Sequence, residues 1–231
     1  MALHADRPRM TRRTKTMAFL SGGLVLGLGI TATLAAWTDS EWVFGGNANG
    51  TGPGLGTSSF EVEQNVTSPY VAATFAQAET NPGQDLTFTA GALSLTPGTS
   101  VYAPVALRTV AGSVAGTVLL QDSEPAVGAG LAPVDAGGAL LGALTLRVAV
   151  SATPTTCDAA AFTTGTLVAS GPLATAQATD PQTLAAAGGN TQFYCFEITL
   201  PASPTLPVGV TLDQLQGRTV TPAWEFLSTS V

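Results

Sequence analysis

Val101-Tyr102-Ala103-Pro104-Val105-Ala106-Leu107-Arg108 sets the register for reading the whole chain. Val101, Ala103, Val105 and Leu107 alternate with Tyr102, Pro104, Ala106 and Arg108. A period of two places one set on a core face and the other towards solvent, as in a half-buried β-strand. The pattern recurs further on. Leu144, Leu146, Val148 and Val150 alternate with Thr145, Arg147, Ala149 and Ser151. Tyr194, Phe196, Ile198 and Leu200 alternate with Cys195, Glu197 and Thr199. Weaker strand patterns cover Phe60–Val66, Leu86–Ala90, Val114–Gln121, Thr166–Ser170, Val208–Leu212 and Val220–Ser228. Asn81-Pro82-Gly83, Thr96-Pro97-Gly98 and Asp135-Ala136-Gly137-Gly138 punctuate them as turns. Short alternating strands with this punctuation predict an all-β, antiparallel β-sandwich over residues 60–231. Pro104 and Pro222 fall inside strand patterns, which predicts edge or bulged strands there. One short helix is expected after Asp180, with Pro181 at its first position, Ala185–Ala187 inside it and Gly188-Gly189 ending it.

Before this body lie two further segments. Residues 1–36 read as a leader. Residues 1–16 carry Arg7, Arg9, Arg12, Arg13 and Lys15, and Met17–Ala36 carry no charge. That run of about 20 residues is long enough to span a bilayer as a helix, and its basic flank keeps the amino end cytoplasmic. Leu34-Ala35-Ala36 ends it in small residues before Trp37, as signal cleavage requires. A cleaved signal peptide, an uncleaved amino-terminal anchor and a buried core helix are the competing readings; the basic flank speaks against the last. No Cys directly follows the run, which excludes a lipoprotein anchor, and Phe226–Val231 carry neither a second apolar span nor a basic tail. Residues 37–59 form a flexible segment. Trp37-Thr38-Asp39-Ser40-Glu41-Trp42 opens it, and Gly45–Ser59 is rich in Gly, Asn, Thr and Ser. Ordering such a stretch costs more backbone entropy than it regains alone, so it reads as a linker or as a segment awaiting a partner.

Charge and missing residue types narrow the function. The 231 residues are 45% hydrophobic and 10% charged, with a formal net charge of −7. Beyond the leader stand only Arg108, Arg147 and Arg218 against fourteen acidic residues, a formal charge of −11. Nucleic acid is therefore excluded as a partner, and contact with membrane is expected only through the leader helix. His4 is the only histidine and Lys15 the only lysine. The body thus has no imidazole for proton transfer or metal binding and no amine for Schiff-base chemistry. A serine nucleophile would lack a base. No enzymatic activity, cofactor or metal is expected.

Cys157 and Cys195 are the only cysteines. They cannot make a zinc site without further ligands, and in an exported chain they are expected to form a disulfide worth about 3 kcal/mol. Two buried free thiols are the alternative. Asp122-Ser123-Glu124 lacks the acid spacing of a calcium loop and reads as a solvated turn. Asp39 and Glu41 could be ligands or simply part of a polar amino terminus. Asn49-Gly50-Thr51 and Asn65-Val66-Thr67 match the glycosylation sequon. Trp224 lies in a strand pattern and reads as core.

Several segments together resemble the TasA/camelysin family of exported biofilm-matrix and cell-surface proteins, which are processed by a SipW-type signal peptidase. Thr33-Leu34-Ala35-Ala36-Trp37-Thr38-Asp39-Ser40 resembles that family's signal boundary. Thr96–Leu107 with Gly112-Ser113 resembles its core hairpin, and Leu215–Arg218 with Trp224–Ser230 its closing strand. Ala126–Ala187 has no counterpart, and the cysteine pair is not part of the resemblance. The resemblance implies a jelly-roll-like β-sandwich, a signal peptidase as partner during export, and a structural role through self-association or with other matrix proteins. It also suggests that the freshly cleaved amino terminus serves as a donor strand. The candidate is Trp37–Phe44, with Trp37, Trp42, Val43 and Phe44 as anchors. Gly45–Gly56 would be its tether, reaching about 20 Å as a coil. The metalloprotease activity ascribed to some family members does not carry over, because no His-Glu-x-x-His motif exists. A monomeric adhesive or carbohydrate-binding surface module is the alternative in a different class.

Overall fold

In the computed structural model, residues 12, 17, 40–45 and 54–231 are described. The chain divides into two units, Met1–Gly56 and Thr57–Val231. The apolar run after Met17, the boundary Leu34-Ala35-Ala36, Trp37 and the sequon at Asn49 lie outside the described residues. Within the first unit, residues 40–45 have no regular secondary structure.

The second unit is built of eight strands in two antiparallel sheets: β1 (Val62–Asn65), β2 (Thr99–Thr109), β3 (Gly116–Pro125), β4 (Thr145–Ser151), β5 (Thr166–Pro172), β6 (Gln182–Leu184), β7 (Gln192–Leu200) and β8 (Pro222–Ser230). One sheet has the order β1-β2-β7-β4-β5 and the other β6-β3-β8. The three alternating runs of the sequence become the three central strands of the larger sheet, and their register lines up the inward residues in rows. Val101, Ile198 and Leu146 form one row, Ala103, Phe196 and Val148 the next, Val105, Tyr194 and Val150 the third. All nine are buried. Val118, Leu120 and Leu184 are buried from the smaller sheet, and Trp224 and Phe226 of β8 meet Phe196 at ring distances of 5.0 and 6.2 Å. The two sheets thus face one another across one apolar core, as expected for elements that each have a single apolar face.

Proline placement follows from the ladder. Pro222 opens β8, an edge strand, as its sequence predicts. Pro104 is in β2, which is not an edge, because β1 covers its far end at Ala106–Thr109. Tyr102 points its N–H and C=O away from β7, towards Thr89. By alternation the Pro104 ring takes the same outward side, beyond the reach of β1, where no ladder bond is lost.

Five other expectations are corrected. Asp180–Ala187 is not a helix: Gln182–Leu184 pair with Gly116–Val118 of β3, and only Ala186–Gly188 turn as a 3-10 segment. Leu184 is fully buried, and Thr109 Oγ1 donates to the Ala185 carbonyl and accepts from the Gly188 amide. These long-range contacts outweigh the helix propensity of three alanines. Val208–Leu212 holds a turn running into a 3-10 segment, Leu212–Leu215, where the Thr211 amide donates to Gln214 Oε1. Asp122-Ser123-Glu124 is no turn but part of β3, at a bulge where two residues oppose Glu225. Gly112-Ser113 closes no hairpin; it carries the chain from β2 in one sheet to β3 in the other. Leu86–Ala90, expected as a strand, joins neither sheet: Leu86–Thr89 has no regular secondary structure and Ala90 lies in a turn.

Small residues and two short helices complete the packing around the sheets. Gly116 admits the Phe60 ring, which a Cβ would strike together with the Thr229 carbonyl oxygen. Helix α1 (Ala139–Ala143) is capped by Asp135, whose two carboxylate oxygens accept the Leu140 and Leu141 amides at 2.9 Å. Helix α2 (Ala161–Thr164) precedes β5.

Candidate functional site

The outer edge of β8 is open. Val231 N–H donates to the Ala115 carbonyl and Ala126 N–H to the Thr221 carbonyl, so the odd-numbered residues of this stretch face β3. The bulge adds its extra residue to β3 and leaves the alternation of β8 intact. Trp224, Phe226, Ser228 and Ser230 therefore direct their amides and carbonyls outward, and Pro222 adds a further carbonyl. Among the described residues no strand pairs with this edge. Its one hydrogen bond is local, from Ser228 Oγ to the Phe226 carbonyl.

Beside the edge runs a groove of about 980 Å³, bounded by β8 on one side and by β1 and residues 78–88 on the other. Apolar side chains from both sheets line it, among them Val105, Leu107, Phe196, Trp224 and Phe226. Trp224, expected as core, does pack on Phe196, yet it is only partly buried and lies in this groove. Its Nε1–H is buried and has no acceptor. The groove is also lined by acidic side chains, among them Glu61, Asp122 and Glu225, and the combination of unpaired backbone groups and an adjoining partly apolar trough is what an extended peptide needs to add as a strand.

The donor candidates within the described residues have the complementary defect. Trp42, Val43 and Phe44 are 93%, 96% and 83% exposed. In contrast, every Phe, Tyr and Trp of Thr57–Val231 is at least partly buried. Tyr70, for example, stacks edge-on against Phe75 and Phe193 at 6.2 and 5.0 Å.

On the far face of the larger sheet, Cys157 and Cys195 form the expected disulfide, with Cα atoms 5.1 Å apart. Cys195 sits in β7 between Pro104 and Ala149, and the bridge ties the segment before α2 onto the sheet. Phe162 of α2 packs near Tyr102 and carries Arg147 over its ring at 4.5 Å. Beneath it, Glu197 accepts from Tyr102 Oη at 3.1 Å and lies 3.0 Å from Arg147 Nη1, in ion-pair range though off the hydrogen-bond line. Desolvation, with Glu197 beside it, raises the Tyr102 pKa. Arg108 pairs with Glu63 and Arg218 with Asp135, so each arginine of the body is held in an ion pair. The bridge and its cover are structural, and a disulfide fits an oxidising, extracellular setting.

The sequon at Asn65 is closed to modification in the folded chain. Asn65 is 2% exposed, its Nδ2 donates to the Val71 carbonyl, and its Oδ1 accepts from Thr67 N and Thr74 Oγ1. Among the described residues no group of three or more His, Cys, Asp or Glu side chains is placed to hold a metal ion, and no helix is long and apolar enough to cross a membrane. No family model matches the chain, and a search of curated proteins gives no match.

Proposed function

We propose that this protein is an exported structural subunit of a cell surface or extracellular matrix, assembled into fibres by strand addition. In this reading Trp37–Phe44 of one chain pairs with the outer edge of β8 in the next. The observation that carries it is the match between an open β8 edge, whose adjoining groove is lined in part by Val105, Leu107, Trp224 and Phe226, and an exposed apolar segment, Trp42-Val43-Phe44, on a glycine-rich tether. Strand order supports a jelly-roll-like arrangement. The eight strands of that fold divide as 2-7-4-5 and 1-8-3-6, and here β2-β7-β4-β5 and β8-β3-β6 follow it, while β1 lies beside β2. The place next to β8 is then the place of a first strand, which a neighbour would supply. The resemblance to TasA/camelysin proteins and the disulfide point the same way: to a leader helix removed at export, with cleavage by a SipW-type peptidase after Ala35 or Ala36 freeing the donor. An adhesive or carbohydrate-binding module would present flat exposed rings, and the partly buried rings of the body do not support it.

The test is deletion of Trp37–Phe44 from the secreted chain. The truncated protein is expected to keep its β-sheet circular dichroism and its disulfide but to stay monomeric on sizing columns. Filaments of normal appearance from the truncated chain would refute strand addition by this segment.

A further inference from the structure

Residues Asn81–Thr89 cross the flank of the sandwich that holds the groove, and they are fastened only at their ends. At one end Asn81 Nδ2 donates to the Pro125 carbonyl and Asn81 Oδ1 accepts the Val127 amide, just beyond β3. At the other, the Thr89 amide donates to the Tyr102 carbonyl and Thr89 Oγ1 accepts the Tyr102 amide, on β2. The segment therefore spans from the smaller sheet to the larger. Between the pins, Gln84–Phe88 make no hydrogen bond among the described residues. What holds them is a strand-like alternation: Leu86 and Phe88 are partly buried against the core, while Asp85 and Thr87 are exposed.

A segment that alternates between core and solvent but makes no ladder holds its place by side-chain burial alone. We propose that Asn81–Thr89 is a strap that closes this flank in the unassembled protein and is displaced when a second copy's donor strand pairs with β8. The inference rests on the fibre reading above and adds its regulation. Leu86 and Phe88 are two residues apart, as are Trp42 and Phe44 of the donor, so the incoming pair can take over the same two core contacts on one strand face. The incoming strand also gains ladder bonds that the strap lacks, which gives the exchange its direction. The strap thus forms one wall of the groove and keeps the core beneath Leu86 and Phe88 covered until a partner arrives.

Two variants of the secreted chain test this: Leu86→Ser with Phe88→Ser, which removes the strap's core contacts, and Asn81→Ala, which removes one pin and leaves both apolar side chains. Assembly is followed by light scattering and electron microscopy, with hydrogen exchange at the outward amides of Trp224, Phe226, Ser228 and Ser230. Both variants are expected to form ordered filaments with a lag at least about tenfold shorter than the unmodified chain, the first through lost apolar burial and the second through the lost hydrogen-bonded pin. In the filaments the β8 amides are expected to be protected. If folded Asn81→Ala assembles no faster while β8 becomes protected, the strap is wrong and strand addition stands. If filaments form but the β8 amides exchange as in the monomer, strand addition at β8 fails and the strap has nothing to gate.

Discussion

At Asp135 one carboxylate, 3% exposed, serves three partners. Burial alone would raise its pKa, but the Leu140 and Leu141 amides and Arg218 outweigh that and hold it below the ordinary carboxylate value. A depressed folded pKa means stability present above the unfolded value, near pH 4, and lost as pH falls through the folded value. Asp135→Asn is therefore expected to lower stability by about 1–3 kcal/mol at neutral pH. The difference should shrink once acid protonates the native carboxylate. Thermal melts of both proteins across that range check it, and a constant gap would deny the carboxylate its role. Tyr194 presents the reverse situation. Its ring is packed against Phe226 at 4.9 Å, its hydroxyl is buried without a partner, and desolvation raises its pKa far above the usual tyrosine value. Removing an unsatisfied buried hydroxyl relieves its desolvation cost, so Tyr194→Phe should stabilise by about 1 kcal/mol. A lower melting temperature would reveal a partner for that hydroxyl.

Among the elements, β8 separates its two edges by residue parity, and this allows a selective block. Ser228 directs its amide outward, so Ser228→Pro removes a donor from the open edge while sparing the bonds to β3. The variant is expected to remain folded, as Pro222 already does at the same parity, and to lose filament formation. Filaments at the normal rate would show that the edge is not the contact. The central strands β2, β4 and β7 could be read from sequence because apolar core residues recur at every second position along each. β1, β3, β5 and β8 were legible to within a few residues for the same reason. β6 was not: Gln182–Leu184 is too short to alternate, and its strand form comes from pairing with Gly116–Val118, over sixty residues away in sequence. Leu86–Ala90 shows the limit from the other side, since its alternation is genuine but no neighbour completes it. Pro222 marked β8 as an edge, whereas the groove beside it depends on which strands flank which, and no local pattern encodes that. The apolar donor residues Trp42, Val43 and Phe44 stood out in the sequence as a hydrophobic island before a glycine-rich stretch.

For the whole molecule, charge would oppose the assembly proposed above. Glu61, Glu79, Asp85, Asp122, Glu124 and Glu225 line the groove, none of them ion-paired among the described residues, and the proposed donor segment would bring Asp39 and Glu41 towards them. Like charges at a surface repel less as ions screen them, with a Debye length falling from about 30 Å at 0.01 M salt to about 8 Å at 0.15 M. Filament formation should therefore quicken with added salt; slowing would mean that the contact is attractive and charge-paired. The three ion-paired arginines have a different consequence, in digestion. With Lys15 the only lysine, a protease that cuts after basic residues finds just Arg108, Arg147 and Arg218 beyond the leader. Arg108 and Arg147 are inside ladders, and Arg218 is clasped by Asp135 and the carbonyls of Gln214 and Ala136. The native body should outlast such an enzyme, whereas the unfolded chain should be cut at all three sites, with both cysteines left in the piece between Arg147 and Arg218. Gels of native and denatured digests would show it, with the native body intact long after the denatured chain has been cut.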